Sequence, residues 1–297
     1  MNIINCNTST KKLLPGNKVI TIAVSSPVND QINIIEGLKI FESWGLICTN
    51  KVITGRHWGY LSGEDSIRYN DLHPEDSYSL IAFARGGWGS ARLLERDQPW
   101  QKGWFLGFSD VSSLLLSRFS SGFDGGIHGP LVSSLSKEPT WSKERLKSIL
   151  FEKSAPDLLG EPWGGGIARG PLIASNLTVA THLLGSRHMP NLNGAILVLE
   201  DIGEAPYRID RMLTQWRLNG LLKNLAGIGL GDFSTPKEET NEQLFTIREI
   251  LQDRCMDLNI PVVANLPVGH CCGNAALPLG WEATINGDKG ILSIHPS

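Results

Sequence analysis

Three short apolar runs, Val19–Ser25 (VITIAVS), Ser79–Ala84 (SLIAFA) and Trp104–Phe108 (WFLGF), limit what the first half of this chain can become. Each is apolar along its length rather than alternating. That marks a strand covered on both faces, and such strands belong to parallel sheets flanked by helices. After the first run, Asn29–Trp44 carries Ile32, Ile35, Leu38 and Phe41 at helical spacing, with Gly45 placed to end the helix. A second strand over Leu46–Val52 and a helix over Glu64–Leu72 follow, and a helix from about Val111 to Phe119 comes after the third run. Strand and helix in alternation predict an α/β layer built on a parallel, Rossmann-like sheet.

From Glu138 to Ile167 the pattern dissolves into Pro, Gly, Trp and charge. Within it Glu161–Gly170 (EPWGGGIARG) reads as a linker, dividing an N-terminal domain over 1–160 from a second domain over 171–297. In the second half, helices are expected over Asn176–Leu184, Ile209–Asn219 and Glu242–Asp253, with strands over Ala195–Glu200 and Leu225–Leu230. Trp281–Ile294 alternates with a period near two, as half-exposed antiparallel strands do. The expectation is a smaller mixed α/β domain with a largely β C-terminal part. At 297 residues and 41% hydrophobic, the chain holds enough apolar material for two cores.

Several function classes are disfavoured. A formal charge of −3 leaves no global basic field to attract nucleic acid. Met1–Lys18 has no apolar run of signal-peptide length, and no stretch approaches the roughly 20 apolar residues that cross a bilayer. A cytoplasmic protein with no nucleic-acid or membrane partner is expected. The five cysteines (Cys6, Cys48, Cys255, Cys271, Cys272) include no CxxC pair and read as reduced thiols, not as a zinc or disulfide framework.

Four segments carry chemistry. In Leu106–Asp110 (LGFSD) a strand ends, a glycine permits a tight turn, and Ser109 stands where a helix begins. Ser109 is either a helix N-cap or the serine of a nucleophile elbow, with the Asp110 N–H facing an oxyanion; Val111 replaces the Gly of the commonest elbow. Ala84–Ser90 (ARGGWGS) also follows a strand, and Gly86, Gly87 and Gly89 let backbone N–H groups approach a ligand. It lacks the Lys-Ser/Thr of a phosphate loop, so an oxyanion donor, a substrate-binding turn and a plain tight turn all stay open. Leu199–Arg211 sets Glu200, Asp201 and Glu204 straight after an apolar strand, where α/β folds carry functional groups; Arg208, Asp210 and Arg211 also suit a solvated helix start. In Pro267–Asn274 (PVGHCCGN), His270 lies on a loop between glycines, structural and catalytic roles being equally open, and Cys271–Cys272 make a poor metal pair. His128 in IHGP follows another short strand and is placed to line a cleft, whereas His57, His73, His182, His188 and His295 have no chemical neighbours in sequence.

Taken in order, these segments resemble the LD-carboxypeptidase family, the murein tetrapeptide carboxypeptidases with the microcin-immunity serine peptidases as a branch. The resemblance runs from Ile22 to about Gly280. It rests on Gly59–Leu72 (GYLSGEDSIRYNDL), ARGGWGSARLL, GFSD, HGP, SNLT (Ser175–Thr178), LEDIGEAPYRIDRML (Leu199–Leu213), PVGH and NAALPLG. It implies a serine carboxypeptidase with Ser109 as nucleophile, Glu200 rather than Glu204 as the acid, and His270 as the base. It places oxyanion donors at the Asp110 N–H and at Gly86 or Gly87, and needs no metal or organic cofactor. Arg85 or Arg208 is expected to meet a substrate carboxylate, with Trp88, where Tyr is commoner in the family, on the cleft wall. The implied reaction releases terminal D-alanine from a murein tetrapeptide in peptidoglycan recycling, by a homodimer. Cleavage of a peptidyl-nucleotide antibiotic and non-catalytic muropeptide binding are the alternatives.

Overall fold

The computed structural model describes residues 10–49, 53–234 and 245–295. Cys6, the end of the expected second strand (50–52) and the start of the expected last helix (242–244) lie outside the described residues.

The first half forms β1 (Lys18–Ile22), α1 (Gln31–Ser43), β2 (Ile47–Thr49), α2 (Asp65–Leu72), β3 (Leu80–Phe83), β4 (Trp104–Gly107), α3 (Ser112–Ser120) and β5 (Gly126–His128). These five strands are mutually parallel in the order β5-β4-β3-β1-β2. Their side chains are buried on both faces, with Ile20, Ile22, Leu80, Phe83 and Leu106 at 0–1% exposure, as expected of runs with no polar alternation. Chain order reverses between β1 and β3. In such sheets that reversal opens a crevice at the carboxyl ends of the strands.

α1 is capped by Asp30, whose carboxylate accepts the Asn33 N–H at 3.1 Å. Its buried stripe differs from the expected one: Ile34, Gly37, Leu38 and Phe41 face the core, while Ile32 and Ile35 are exposed. Gly37 sets the rotation, because a side chain there would collide with the Val132 carbonyl of the short helix α4 (Val132–Leu135).

The stretch expected to be irregular, 138–167, holds α5 (Thr140–Glu152), β6 (Leu158–Leu159) and β7 (Glu161–Pro162). α5 buries Leu146, Ile149 and Leu150 together with Ser142 and Arg145. The two polar residues obscure the apolar stripe in sequence, but both find backbone acceptors: Ser142 donates to the Asn274 carbonyl at 2.8 Å and Arg145 Nε to the Ala276 carbonyl at 2.9 Å. The expected linker, 161–170, is therefore woven into a sheet, since it contains β7 and the first residues of β8 (Ile167–Asn176).

The rest of the chain adds α6 (Leu177–His182), β9 (Ile196–Ile202), α7 (Pro206–Leu218), β10 (Gly227–Ser234), α8 (Ile247–Cys255), β11 (Val262–Ala264), β12 (Leu277–Pro278), β13 (Glu282–Asn286) and β14 (Ile291–His295). The second sheet runs β6-β14-β13-β8-β9-β10-β11-β7, parallel through β8-β9-β10-β11 and antiparallel at both ends. β13 and β14 show the period-two burial read from Trp281–Ile294. β12 belongs to neither neighbour in sequence: it leaves the second half and pairs antiparallel with β5 at the edge of the first sheet. Among the described residues no helix is long and apolar enough to cross a membrane.

Candidate active site

Ser109 follows β4 after one intervening residue, Phe108. Its φ is +63°, left-handed for a residue with a side chain, while Phe108 before it is fully extended. Such a backbone costs on the order of 1–3 kcal/mol and persists only where the surroundings impose it. Gly107 permits the sharp exit, because a Cβ there would lie 2.9 Å from the Phe83 ring and 3.0 Å from Val111. The strained turn lifts the hydroxyl above the sheet edge at the start of the helical segment that continues into α3, the geometry of a nucleophile elbow.

Asp110 fixes that turn from below. Its Oδ2 accepts the Ser25 hydroxyl at 2.6 Å and the Ser90 N–H at 2.9 Å, and the Ser90 hydroxyl donates to the Asp110 carbonyl at 2.6 Å. One buried carboxylate thus ties the loop after β1, the Gly-rich turn after β3 and the serine turn after β4. The Gly-rich turn lies against the serine: a Cβ on Gly86 would come within 3.0 Å of Ser109 Oγ. Gly87 has φ +111°, and a side chain there would collide with the Ser26 hydroxyl. The Ser26 N–H donates to the Gly86 carbonyl at 3.3 Å.

Three residues remote in sequence meet here. His270 Nε2 lies 3.2 Å from Ser109 Oγ, and His270 Nδ1 lies 2.7 Å from Glu200 Oε2. Glu204 does not take part; half-buried, it sits 3.3 Å from Arg208. Strand alternation separates Glu200 from its neighbour as well, since Asp201 turns to cap α6 by accepting the Thr178 N–H and hydroxyl at 2.7 Å each. Glu200 is wholly buried, which alone would raise its carboxyl; the imidazoles of His128 and His270 outweigh that and hold it at about 2.

The loop carrying His270 is secured on several sides. Gly269 N–H donates to Asn274 Oδ1 at 2.9 Å, and the Gly273 and Asn274 N–H groups donate to Glu138 Oε2 at 3.1 and 2.9 Å. Burial pushes the Glu138 carboxyl up from its ordinary value, against the pull of those N–H donors. Gly269, at φ +111°, packs so closely that a Cβ would stand 2.7 Å from Glu200 Oε2.

A cleft of about 330 Å³ opens over Ser109 and His270, at the lower end for small-molecule sites. Arg85, Gly86, Gly87 and Phe108 line it, as do Asn29 and Asp30, which follow β1 at the point where strand order reverses; that position is the signal by which sequence reading alone would find them. Of the other expected substrate contacts, Trp88 is 64% exposed and Arg208 pairs with Glu204, and neither lines the cleft. His128 does not line it either. It is completely buried beneath Phe108.

Comparison with known proteins follows the same outline. The family model of the LD-carboxypeptidase N-terminal domain matches residues 19–129, and that of the LD-carboxypeptidase C-terminal domain matches 169–285. A Synechocystis sp. protein bearing a carboxypeptidase name is 44% identical over 288 residues, 95% of each chain. The murein tetrapeptide carboxypeptidase of Pseudomonas aeruginosa is 33% identical over 262 residues, 79% of this chain and 83% of its own. The solved structure of the microcin C7 self-immunity protein MccF shares the fold with a TM-score of 0.84 at 22% identity, covering 96% of this chain and 98% of that one.

Proposed function

Because the chain belongs to the LD-carboxypeptidase family, we propose that it releases the terminal D-alanine of a murein tetrapeptide by serine catalysis in peptidoglycan recycling. The observation that carries this is the unbroken chain Ser109 Oγ–His270 Nε2 and His270 Nδ1–Glu200 Oε2 at the floor of the cleft.

In this reading His270 Nε2 takes the Ser109 proton as Oγ attacks the scissile carbonyl, forming a tetrahedral oxyanion. Glu200 holds the proton on His270 Nδ1, leaving Nε2 free to accept, and then faces the imidazolium that forms. The oxyanion meets the N–H groups of Asp110 and Gly87. Gly87 is preferred to Gly86 because the Gly86 carbonyl points to Ser26, and a trans peptide turns the following N–H the opposite way. His270 passes its proton to the leaving amine, and water releases the acyl group by the same steps in reverse order. Arg85, at the cleft wall, supplies the positive charge for the free carboxylate of the departing residue. Each sheet is taken as the core of one domain, and the working species as a homodimer in the cytoplasm.

Digestion of UDP-MurNAc-tetrapeptide followed by mass spectrometry is the test, with loss of one terminal alanine expected. Ser109→Ala should reduce turnover by about 10⁶-fold while ligand binding stays measurable. Wild type as inert as Ser109→Ala would leave a muropeptide-binding protein. Faster cleavage of an aminoacyl-sulfamoyl adenosine would favour an antibiotic-immunity peptidase instead.

A further inference from the structure

Glu200 presents two oxygens, and the proposed triad uses one. Oε2 faces His270; Oε1, equally buried, has no hydrogen-bond partner among the described residues. His128 faces it, with Nε2 3.7 Å away. That is an electrostatic contact, longer than a formed hydrogen bond. Both side chains are fully excluded from solvent, and neither ring nitrogen of His128 has any other partner among the described residues.

An imidazole in that state is costly. A buried polar group without a partner loses its hydration and gains nothing, so a phenyl or isobutyl side chain would serve a purely structural role better. The surroundings, moreover, aim this ring. His128 ends β5, held in register between Gly107 of β4 and Leu277 of β12, so its backbone cannot swing away. The Phe108 ring stands against both imidazoles, 5.7 Å from His128 and 4.7 Å from His270, and spaces them on either side of the carboxylate. The ionisable side chain within ion-pair distance of His128 is Glu200, and His270 faces it beyond the Phe108 ring.

We propose that His128 is a positioning residue for the reaction: its Nε2–H faces Glu200 Oε1, anchors the carboxylate from behind and keeps Oε2 directed at His270 Nδ1. The relay then has four members, Ser109, His270, Glu200 and His128, of which only Ser109 and His270 meet substrate. With Oε1 held, the carboxylate can neither rotate away from His270 nor take up a proton in its dry site, and His270 keeps the tautomer that leaves Nε2 basic. This rests on the serine-peptidase reading above, so its test includes one arm that needs no substrate.

That arm is nitrogen-15 NMR of wild-type protein labelled at histidine. His128 Nε2 should carry a proton from pH 5 to 9; an unprotonated Nε2 would overturn the proposal whatever the substrate proves to be. The kinetic arm compares His128→Phe, which keeps the ring and removes the donor, with His128→Gln, which places an N–H near Nε2. His128→Phe should lower kcat about tenfold or more with little change in KM, the lower end for losing an outer-shell partner. Its acid limb in kcat/KM should move to higher pH, because the Glu200–His270 pair holds its proton more tightly once the second donor is gone. His128→Gln should restore most of both. Equal losses in the two variants with an unmoved acid limb would mean packing alone, and the proposal would fail. If no variant or wild-type protein turns over any muropeptide, the serine-peptidase reading fails instead, and the NMR result still decides the contact.

Discussion

Gly269→Ala separates catalytic geometry from stability in a way few substitutions can. The new Cβ would stand 2.7 Å from Glu200 Oε2, 2.8 Å from its Cβ and 2.9 Å from its Cγ. Ordinary non-bonded contact begins near 3.4 Å, so the carboxylate or the loop must move by roughly 0.5–0.7 Å. The loop has little freedom, being tied through Asn274 and Glu138, so most of the movement falls on Glu200. A shift of that size stretches the 2.7 Å contact to His270 Nδ1 past the ideal range. Misplacement on the 1 Å scale costs around 10²-fold in rate, and the predicted loss in kcat is about 30- to 100-fold with KM nearly unchanged. Left-handed backbone at an alanine adds about 1–2 kcal/mol of destabilisation. Gly220→Ala is the control: Gly220 also has a positive φ, +71°, but open space around its Cα, so it carries a backbone penalty of the same sign without the collision. Steady-state kinetics on a muropeptide and thermal unfolding of both variants are the assays. If Gly269→Ala loses no more activity than Gly220→Ala, the tight approach of this loop to Glu200 does not govern catalysis.

Two more substitutions test the polar scaffold. Glu200 titrates at about 2 in the folded chain against 4.5 unfolded, so on acidification the unfolded state binds the proton first and folding weakens as pH falls from 4.5 towards 2; Glu200→Gln should flatten that part of an acid-unfolding curve, and an unchanged slope would contradict the assignment. Asp110→Asn, with its amide oxygen in the place of Oδ2, keeps the acceptor that the Ser25 hydroxyl and the Ser90 N–H share and should stay within about 1 kcal/mol of wild type, whereas Asp110→Ala strands two buried donors and should lose about 2–4 kcal/mol in denaturant titration; equal effects would show that the tie between the three loops is not structural.

How far the sequence discloses this arrangement depends on the range of the forces involved. The parallel strands were legible because VITIAVS and SLIAFA announce burial on both faces locally. The stripe of α1 differs from its local periodicity, because its rotation is set by Gly37 against the Val132 carbonyl, ninety-odd residues away. α5 has no local apolar stripe, since Ser142 and Arg145 become core residues only once carbonyls of Asn274 and Ala276 arrive to receive them. At the site, Ser109 had a local signature in the glycine before it, but its left-handed φ is imposed by packing and leaves no trace in composition. In sequence Glu200 and Glu204 are alike as acids after a strand; β9 continues to Ile202, which puts Glu200 inside the sheet and leaves Glu204 beyond its end, half-buried and paired with Arg208. The sequence context of His128 points to a cleft wall, yet it is buried, a difference made by β12, which no local pattern assigns to the first sheet.

The crossing of β12 also bears on how the protein comes to life. The His270 loop spans from β11 in one sheet to β12 in the other, so neither half of the chain holds both members of the proposed Ser109–His270 pair. During refolding, hydrolysis by the proposed triad must wait until that short strand locks onto the edge of β5, whatever far-ultraviolet signal has already returned. Enzymatic activity is thus a clock for the last docking event, and its recovery should lag behind circular dichroism by however long the two layers take to find one another.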